Sequence, residues 1–372
     1  MTILLRIPRV HFDFGAVNAL RGELSLLGIK RPLLTTDQGI AQCGVFEKVL
    51  EALGGAPDFP VFDQMPENPT VEGIEKARDL YEQEGCDGVV AVGGGSVIDA
   101  SKVLAMRAFQ PGPISQYDRR PDRITPETSP LITIPTTAGT GAEVTGGAGV
   151  HPDPETPSMN IGSPFLQAKA AICDPELTMT LPPTLTAGTG MDALNQCIEG
   201  YLSVAVNPPI DAIALDGLLR AYTYIERAVQ DGSDREARRQ MLMAALEGGI
   251  SIGKGLGPGH AIANTFGDRG FHHGILVTVS MPSVLRFLDQ YAGEKMKVLA
   301  EVMGLEGADT VADAVERLNA RIGLPKNLRE MGYVPEDLGK LAEICADSVF
   351  NRNSPHPPAK EEYMEILGQA LA

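Results

Sequence analysis

The chain has 372 residues, 43% of them apolar and 21% charged, with a formal charge of −17 at neutral pH. That length exceeds one small core and predicts two domains, while the acidic balance argues against nucleic acid or an anionic membrane as a partner. No apolar run reaches membrane-span length, and Arg6 and Arg9 cut short the Ile3-Leu4-Leu5 stretch; the five cysteines stand apart without a CxxC pair, as expected of a reduced, cytoplasmic protein.

Pro32 to Thr36 reads as a short strand ending at the turn signal Asp37-Gln38-Gly39. Asp58 to Phe62 predicts the next strand, and Val71 to Gln83 sets Val71, Ile74, Ala77, Leu80 and Tyr81 at helical spacing. Val89 to Val92 is a buried-type strand running into Gly93-Gly94-Gly95-Ser96, after which Val97, Ala100, Ser101 and Leu104 share one helix face. Ser96 and Asp99 have the S-x-x-D spacing of a capped helix start. Leu131 to Ile134 repeats the pattern and runs into Pro135-Thr136-Thr137-Ala138-Gly139-Thr140-Gly141. Strand and helix in this rhythm predict a parallel sheet with right-handed crossovers. Beyond Asp174-Pro175-Glu176, Pro182-Pro183 punctuate the chain, and the rest reads as helices, among them Asp211 to Ala228, Asp234 to Ile252 and Ala312 to Ile322. The expected division is an α/β domain over residues 1–182 and an all-α domain over 183–372.

Both glycine-rich turns end a strand where backbone amides can approach a phosphate, and a helix starting there adds positive dipole. Two such turns in one chain point to a dinucleotide. Neither is the GxGxxG fingerprint, which disfavours an ordinary Rossmann dehydrogenase. A tight turn that needs glycine for geometry alone is the plain alternative for Gly94 and Gly95, and the hydroxyls of Thr136, Thr137 and Thr140 tilt the weighing toward a ligand. Asp37, at a strand end, suits the hydroxyls of an adenosine ribose and would repel a 2′-phosphate, favouring NAD over NADP. Capping a turn before Gly39 is its ordinary role.

The second half carries Gly188-Thr189-Gly190-Met191-Asp192-Ala193-Leu194-Asn195-Gln196-Cys197-Ile198-Glu199, then Gly259-His260-Ala261-Ile262-Ala263-Asn264, then His272-His273-Gly274. An acidic residue and three histidines are a candidate metal site, although single histidines are as often core or surface residues. With Gly93 to Lys102, Pro135 to Thr145, Asp174 to Thr178, Gly190 to Glu199 and Gly259 to Gly274 taken together, the chain resembles the iron-containing (group III) alcohol dehydrogenase family, of the dehydroquinate synthase-like fold, over nearly its whole length. The resemblance implies an N-terminal α/β nucleotide-binding domain, a helical C-terminal domain, and a cleft holding NAD(P) and one divalent metal, Fe2+ or Zn2+. It implies cofactor contacts from Asp37, Gly94, Gly95, Ser96, Asp99, Thr136, Thr137, Thr140 and Thr145. It places metal ligands at Asp192, His260 and His273, gives these and the Asn264 position catalytic roles, and implies a homodimer with Ile3 to Phe14 as a candidate contact.

Two positions depart from the family pattern. The third histidine ligand falls on Gln196, one helical turn after Asp192; an amide oxygen can coordinate, but binds Fe2+ or Zn2+ less well than imidazole. Many members place another histidine near the nicotinamide where this chain has Asn264, which cannot relay a proton in the physiological range. Three arrangements stay open: Asp192, His260 and His273 with Gln196 or water; His272 in place of the lost ligand; or no metal, as in the related maleylacetate reductases. The expected function is NAD-dependent oxidation of a small alcohol, or reduction of an aldehyde or ketone, with the metal as Lewis acid. A metal-independent reductase and a 3-dehydroquinate synthase-like lyase are the alternatives. Asn351, Arg352, Asn353 and His356 are polar enough to hold a carboxylate, phosphonate or sugar hydroxyls, and the lost histidines suggest a substrate other than plain ethanol or propanediol.

Overall fold

The structure, a computed structural model, describes residues 6–55, 58–154, 156–267, 271–307, 309–334 and 337–372. Part of the expected dimer contact (Ile3 to Leu5) and part of the segment leading into His272 (268–270) lie outside the described residues. By its internal packing the chain divides into two units, Arg6–Thr137 with Gly141–Leu181, and Pro182–Ala372 with Ala138–Thr140.

The first unit carries strands β1 (Arg9–Phe12), β2 (Pro32–Thr35), β3 (Val61–Phe62), β4 (Gly88–Gly93), β5 (Leu131–Pro135), β6 (Gly147–Val150), β7 (Met159–Gly162) and β8 (Ala170–Cys173). Its helices are α1 (Leu20–Leu27), α2 (Gln38–Gln42), α3 (Val45–Ala52), α4 (Val71–Gln83) and α5 (Gly95–Arg107). Six strands form a sheet in the order β1-β8-β5-β4-β2-β3, every neighbouring pair parallel. The unbroken run Val89-Val90-Ala91-Val92 suits a strand covered on both faces, and all of β4 is buried. Alternation divides it. Val89 and Ala91 pack with Ile74 and Ala77 of α4 and Val103 of α5, while Val90 and Val92 pack with Leu20 of α1 and Val49 of α3.

Local chemistry sets the boundaries. Helix α4 spans the predicted residues because Thr70 caps it, its hydroxyl accepting from Gly73 N–H at 3.2 Å. The strand expected over Asp58 to Phe62 shrinks to Val61–Phe62, because Pro60 has no N–H for the ladder. Ser96 does not cap α5, because it is the second residue inside the helix; the N-cap is Gly94, with no side-chain cap, and Asp99 turns its carboxylate to Lys102 and Gly149. The antiparallel pair β6–β7 alternates in burial along both strands, but four-residue strands with three glycines between them leave little for a sequence reading to mark. The strand order reverses between β2 and β4, and the C-terminal ends of parallel strands at such a point are where open α/β sheets bind ligands. Thr36, Asp37 and Gly93 to Ser96 stand there.

The second unit is helical: α6 (Pro183–Leu202), α7 (Pro208–Gln230), α8 (Arg235–Ser251), α9 (Pro258–Gly267), α10 (His273–Val302), α11 (Val311–Arg321), α12 (Leu338–Ala346) and α13 (Lys360–Leu371). Helix α7 starts a turn before the expected Asp211, since Pro208 and Pro209 occupy first-turn positions whose N–H would have no intrahelical partner. No described helix is long and apolar enough to cross a membrane.

Helices α6 and α10 meet backbone to backbone: a Cβ on Gly274 would sit 2.4 Å from the carbonyl oxygen of Gly188. Gly274→Ala must therefore push α10 away from α6. The expected result is a loss of about 1–3 kcal/mol in stability, the usual cost of overpacking. Because His273 moves with Gly274, kcat/KM should fall by about a hundredfold, the scale of an ångström-sized misplacement. Thermal unfolding and steady-state kinetics check both, and an unchanged Tm would show slack between the two helices.

Candidate active site

Helix α6 carries Asp192, Gln196 and Glu199, spaced by four and then three residues and so on one face; all three are buried. Glu199 accepts three hydrogen bonds, from Gly257 N–H at 2.9 Å, Gly259 N–H at 2.7 Å and His260 Nδ1 at 2.6 Å. The two amides belong to the start of α9, where N–H groups lack intrahelical partners, so the carboxylate caps the positive end of that helix. The third bond fixes the His260 ring.

With Nδ1 held, His260 Nε2 faces Asp192 Oδ1 at 3.3 Å, and His273 Nε2, from the first residue of α10, lies 4.0 Å from the same oxygen. The ligand atoms of Asp192, His260 and His273 all lie within 4.8 Å of one another. Ligands about 2.1 Å from a tetrahedral ion stand about 3.4 Å apart, so small adjustments bring these three onto one cation. A carboxylate behind a ligating imidazole is also the usual support of a metal histidine. Burial alone would lower His260, but the Glu199 charge and the hydrogen bonds to Asp192 and Glu199 raise it to about 9. Burial pushes Asp192 up, yet the His260 bond and the neighbouring histidines hold it below the usual carboxylate range. Two carboxylates around one imidazole leave surplus negative charge, which Fe2+ or Zn2+ would neutralise. The donor set fits such an ion.

His272 does not join the cluster. It is the non-helical residue before α10, and its buried Nδ1 finds no hydrogen-bond partner among the described residues. Gln196 is adjacent, as the spacing predicts, but its amide nitrogen faces Asp192, at 3.1 Å from Oδ2. Asn264 is half-buried one turn beyond His260 on α9 and makes no hydrogen bond among the described residues.

At the sheet end, the first-turn amides of α5 are left free of side-chain caps behind Gly94, where a Cβ would press within 3.3 Å of Thr137. The hydroxyls of Thr36 and Thr136, at the ends of β2 and β5, are buried without hydrogen-bond partners among the described residues. Free amides and orphaned hydroxyls at strand ends fit a dinucleotide. Asp37 Oδ1 caps α2, accepting from Ile40 N–H at 2.9 Å.

Asp99 and Thr145, expected on the cofactor, are engaged by a residue that the sequence reading passed over. Lys102, with 0% of its side chain exposed, donates from Nζ to Asp99 Oδ1 at 2.9 Å, Thr145 Oγ1 at 3.0 Å and the Gly147 carbonyl at 2.7 Å. The second Asp99 oxygen accepts from Gly149 N–H at 3.2 Å. These two residues shape the loop from within the protein. The lysine three places after Asp99, the spacing of an ion pair on one helix face, was the signal, just as Glu199 was legible seven places after Asp192.

Glu143 is buried beside this group. Burial, offset in part by a backbone hydrogen bond and the Lys102 charge, raises its carboxyl from 4.5 to about 7. The folded protein therefore holds a proton that the unfolded chain releases, and this contribution to stability declines as pH rises from about 4.5 to 7 and is flat above. Glu143→Gln is expected to remove that slope and, above pH 7, to stabilise the protein relative to wild type by up to about 3 kcal/mol. Urea unfolding of both proteins at pH 5 and pH 8 measures the difference; equal differences at the two pH values would refute it.

A nucleotide-type loop on a parallel sheet and an Asp–His–His cluster on helices define a class, an oxidoreductase acting on CH–OH groups. The chain belongs to the iron-containing alcohol dehydrogenase family: the profile described as "Iron-containing alcohol dehydrogenase" matches residues 8–175, and "Fe-containing alcohol dehydrogenase family, C-terminal" matches 186–371. It is similar to 4-hydroxybutyrate dehydrogenase of Cupriavidus necator, 41% identical with all of both chains covered. Among solved structures it resembles 1,3-propanediol oxidoreductase, with TM-score 0.95, 30% identity and full coverage of both chains. It also resembles sulfoacetaldehyde reductase from Bifidobacterium kashiwanohense in complex with NAD+, with TM-score 0.91, 26% identity, and 100% of this chain and 99% of that one covered. The expected family, fold class and enzyme class are borne out.

Proposed function

We propose that the chain is an NAD-dependent dehydrogenase that oxidises the terminal alcohol of a short hydroxy acid and, in reverse, reduces the aldehyde. The observation that carries this reading is the Asp192–His260–His273 cluster backed by Glu199. These three side chains would hold one Fe2+ or Zn2+, which supplies Lewis acidity toward the substrate oxygen. NAD would supply the hydride acceptor, and the Gly94 to Ser96 turn and Asp37 are the residues that would hold it.

The chain's own residues do the placing. Glu199 keeps a proton on His260 Nδ1 and so leaves the Nε2 lone pair, beside Asp192 Oδ1, for a metal. Asn264 has no titratable proton, so it orients a substrate or cofactor group by hydrogen bonding. Phe350 closes the apolar side of the cluster, its ring centroid 6.5 Å from that of His260.

Of the four polar residues near Phe350, three are committed within the protein. Asn351 Nδ2 donates to the Cys345 carbonyl, Asn353 Nδ2 to the Lys254 carbonyl, and His356 pairs with Glu362. Arg352 is exposed, two residues after Phe350, and makes no hydrogen bond or ion pair among the described residues. We assign it the substrate carboxylate, a reading supported by the 4-hydroxybutyrate dehydrogenase relative. A homodimer is part of the proposal, supported by the place of β1 at the edge of the sheet, and a cytoplasmic location is supported by five free cysteines.

The test is metal content of the purified protein, with NADH formation from 4-hydroxybutyrate, 1,3-propanediol and ethanol on the same sample. One equivalent of iron or zinc, activity lost on chelation and preference for the hydroxy acid support the reading. Ethanol as the best substrate overturns the substrate assignment, and full activity without metal overturns the metal.

A further inference from the structure

We propose that Gln196 is a strut and not a metal ligand: its amide group ties the metal-binding carboxylate of Asp192 to the segment Ala138–Thr140. This rests on the metal and NAD reading given above. Asp192 divides its two oxygens, Oδ1 facing the histidine nitrogens and Oδ2 lying 3.1 Å from Gln196 Nε2. The same nitrogen lies 3.4 Å from the carbonyl oxygen of Thr140. One NH2 group has two protons, and both acceptors stand in front of it.

The amide oxygen points the other way. Gln196 Oε1 is buried without a hydrogen-bond partner among the described residues, on the side of α8, where a Cβ on Gly248 would come within 2.8 Å of it. Turning the amide by half a rotation, as coordination requires, would set its oxygen against Asp192 Oδ2 and the Thr140 carbonyl with no proton among the three. An imidazole at this position has at most one N–H on the facing side and can serve one acceptor, never both.

The loop end is held to the helical unit by contact as well. Ala138–Thr140 packs with that unit although the chain on either side belongs to the α/β unit, and a Cβ on Gly139 would lie 2.6 Å from the Thr189 side chain. Gln196 therefore sets two things at once, the rotamer of the metal-binding carboxylate and the position of that segment. Ala138–Thr140 and the metal-binding carboxylate become coupled through one side chain.

The experiment compares wild type, Gln196→Met and Gln196→His for two affinities: Zn2+ by competition with a chromogenic chelator, and NADH by its own fluorescence in metal-stripped protein. Circular dichroism establishes folding, and if Gln196→Met does not fold, Gln196→His carries the same NADH comparison. The strut predicts NADH affinity about 3- to 10-fold weaker in both variants without metal, the scale of a lost hydrogen bond. Gln196→His should at the same time gain Zn2+ affinity, separating the two readouts. NADH affinity within twofold of wild type in the folded variants, with Zn2+ affinity collapsing in Gln196→Met, identifies a ligand and overturns the strut. A wild type that binds neither probe overturns the underlying metal and NAD reading, and the strut falls with it.

Discussion

Asp192→Asn is expected to leave the protein without bound metal after dialysis and to lower kcat/KM by about a thousandfold. Asp192 Oδ1 is the atom both His260 and His273 face, and it is the one anionic donor of the cluster, 1% exposed as a residue. An asparagine keeps the shape but removes the charge that holds a cation among neutral imidazoles. Loss of Lewis-acid assistance is worth several kcal/mol of barrier, and each 1.36 kcal/mol is tenfold in rate, which gives the factor of about a thousand. NADH affinity should change by only a few-fold, because the amides and hydroxyls proposed to hold the phosphates lie at the ends of β2, β4 and β5. Elemental analysis, steady-state kinetics and NADH fluorescence on the same preparation measure all three. A variant that retains most of its activity, with or without chelator, would move the chain to the metal-free branch and leave Asp192 as an ion-pair partner of His260.

Glu199→Gln is expected to weaken metal binding by about 10- to 100-fold, the usual effect of losing the group behind a ligating histidine. Three donors converge on this carboxylate, at 2.6 to 2.9 Å. A glutamine presents one acceptor oxygen and an NH2 group, so at least one of the Gly257 and Gly259 amides, or His260 Nδ1, would face a donor instead of an acceptor. The start of α9 would shift, and His260 with it. Chelator competition with Zn2+ reads the affinity directly, and the kinetic loss should be largely restored by saturating metal, which separates positioning from chemistry. Unchanged Zn2+ affinity would show that the ring is held by packing against Phe350 and its neighbours, not by Glu199.

Much of this was readable in the chain before it folded. The run Val89 to Val92 announces a strand buried on both faces, Thr70 marks where α4 begins, and the two glycine-rich turns mark strand ends where a phosphate can be approached. The four-residue step from Asp192 to Gln196 places both on one helix face, and the family motifs lead to His260 and His273. These features depend on hydrogen bonds and periodicities a few residues long, so a local reading reaches them.

Other features depend on which helices approach and which rotamers their side chains adopt. Only the meeting of α6 and α10 at Gly188 and Gly274 brings His273 to Asp192 and leaves neighbouring His272 outside, a contact between residues more than eighty positions apart. Only the folded chain shows Lys102 engaging Asp99 and Thr145, the Gln196 amide turned nitrogen-first toward Asp192, and Glu199 binding the start of α9. A side chain's type and spacing fix what it can donate or accept. Which partner it finds is decided by packing, because a buried polar atom without a partner costs more than most local preferences supply.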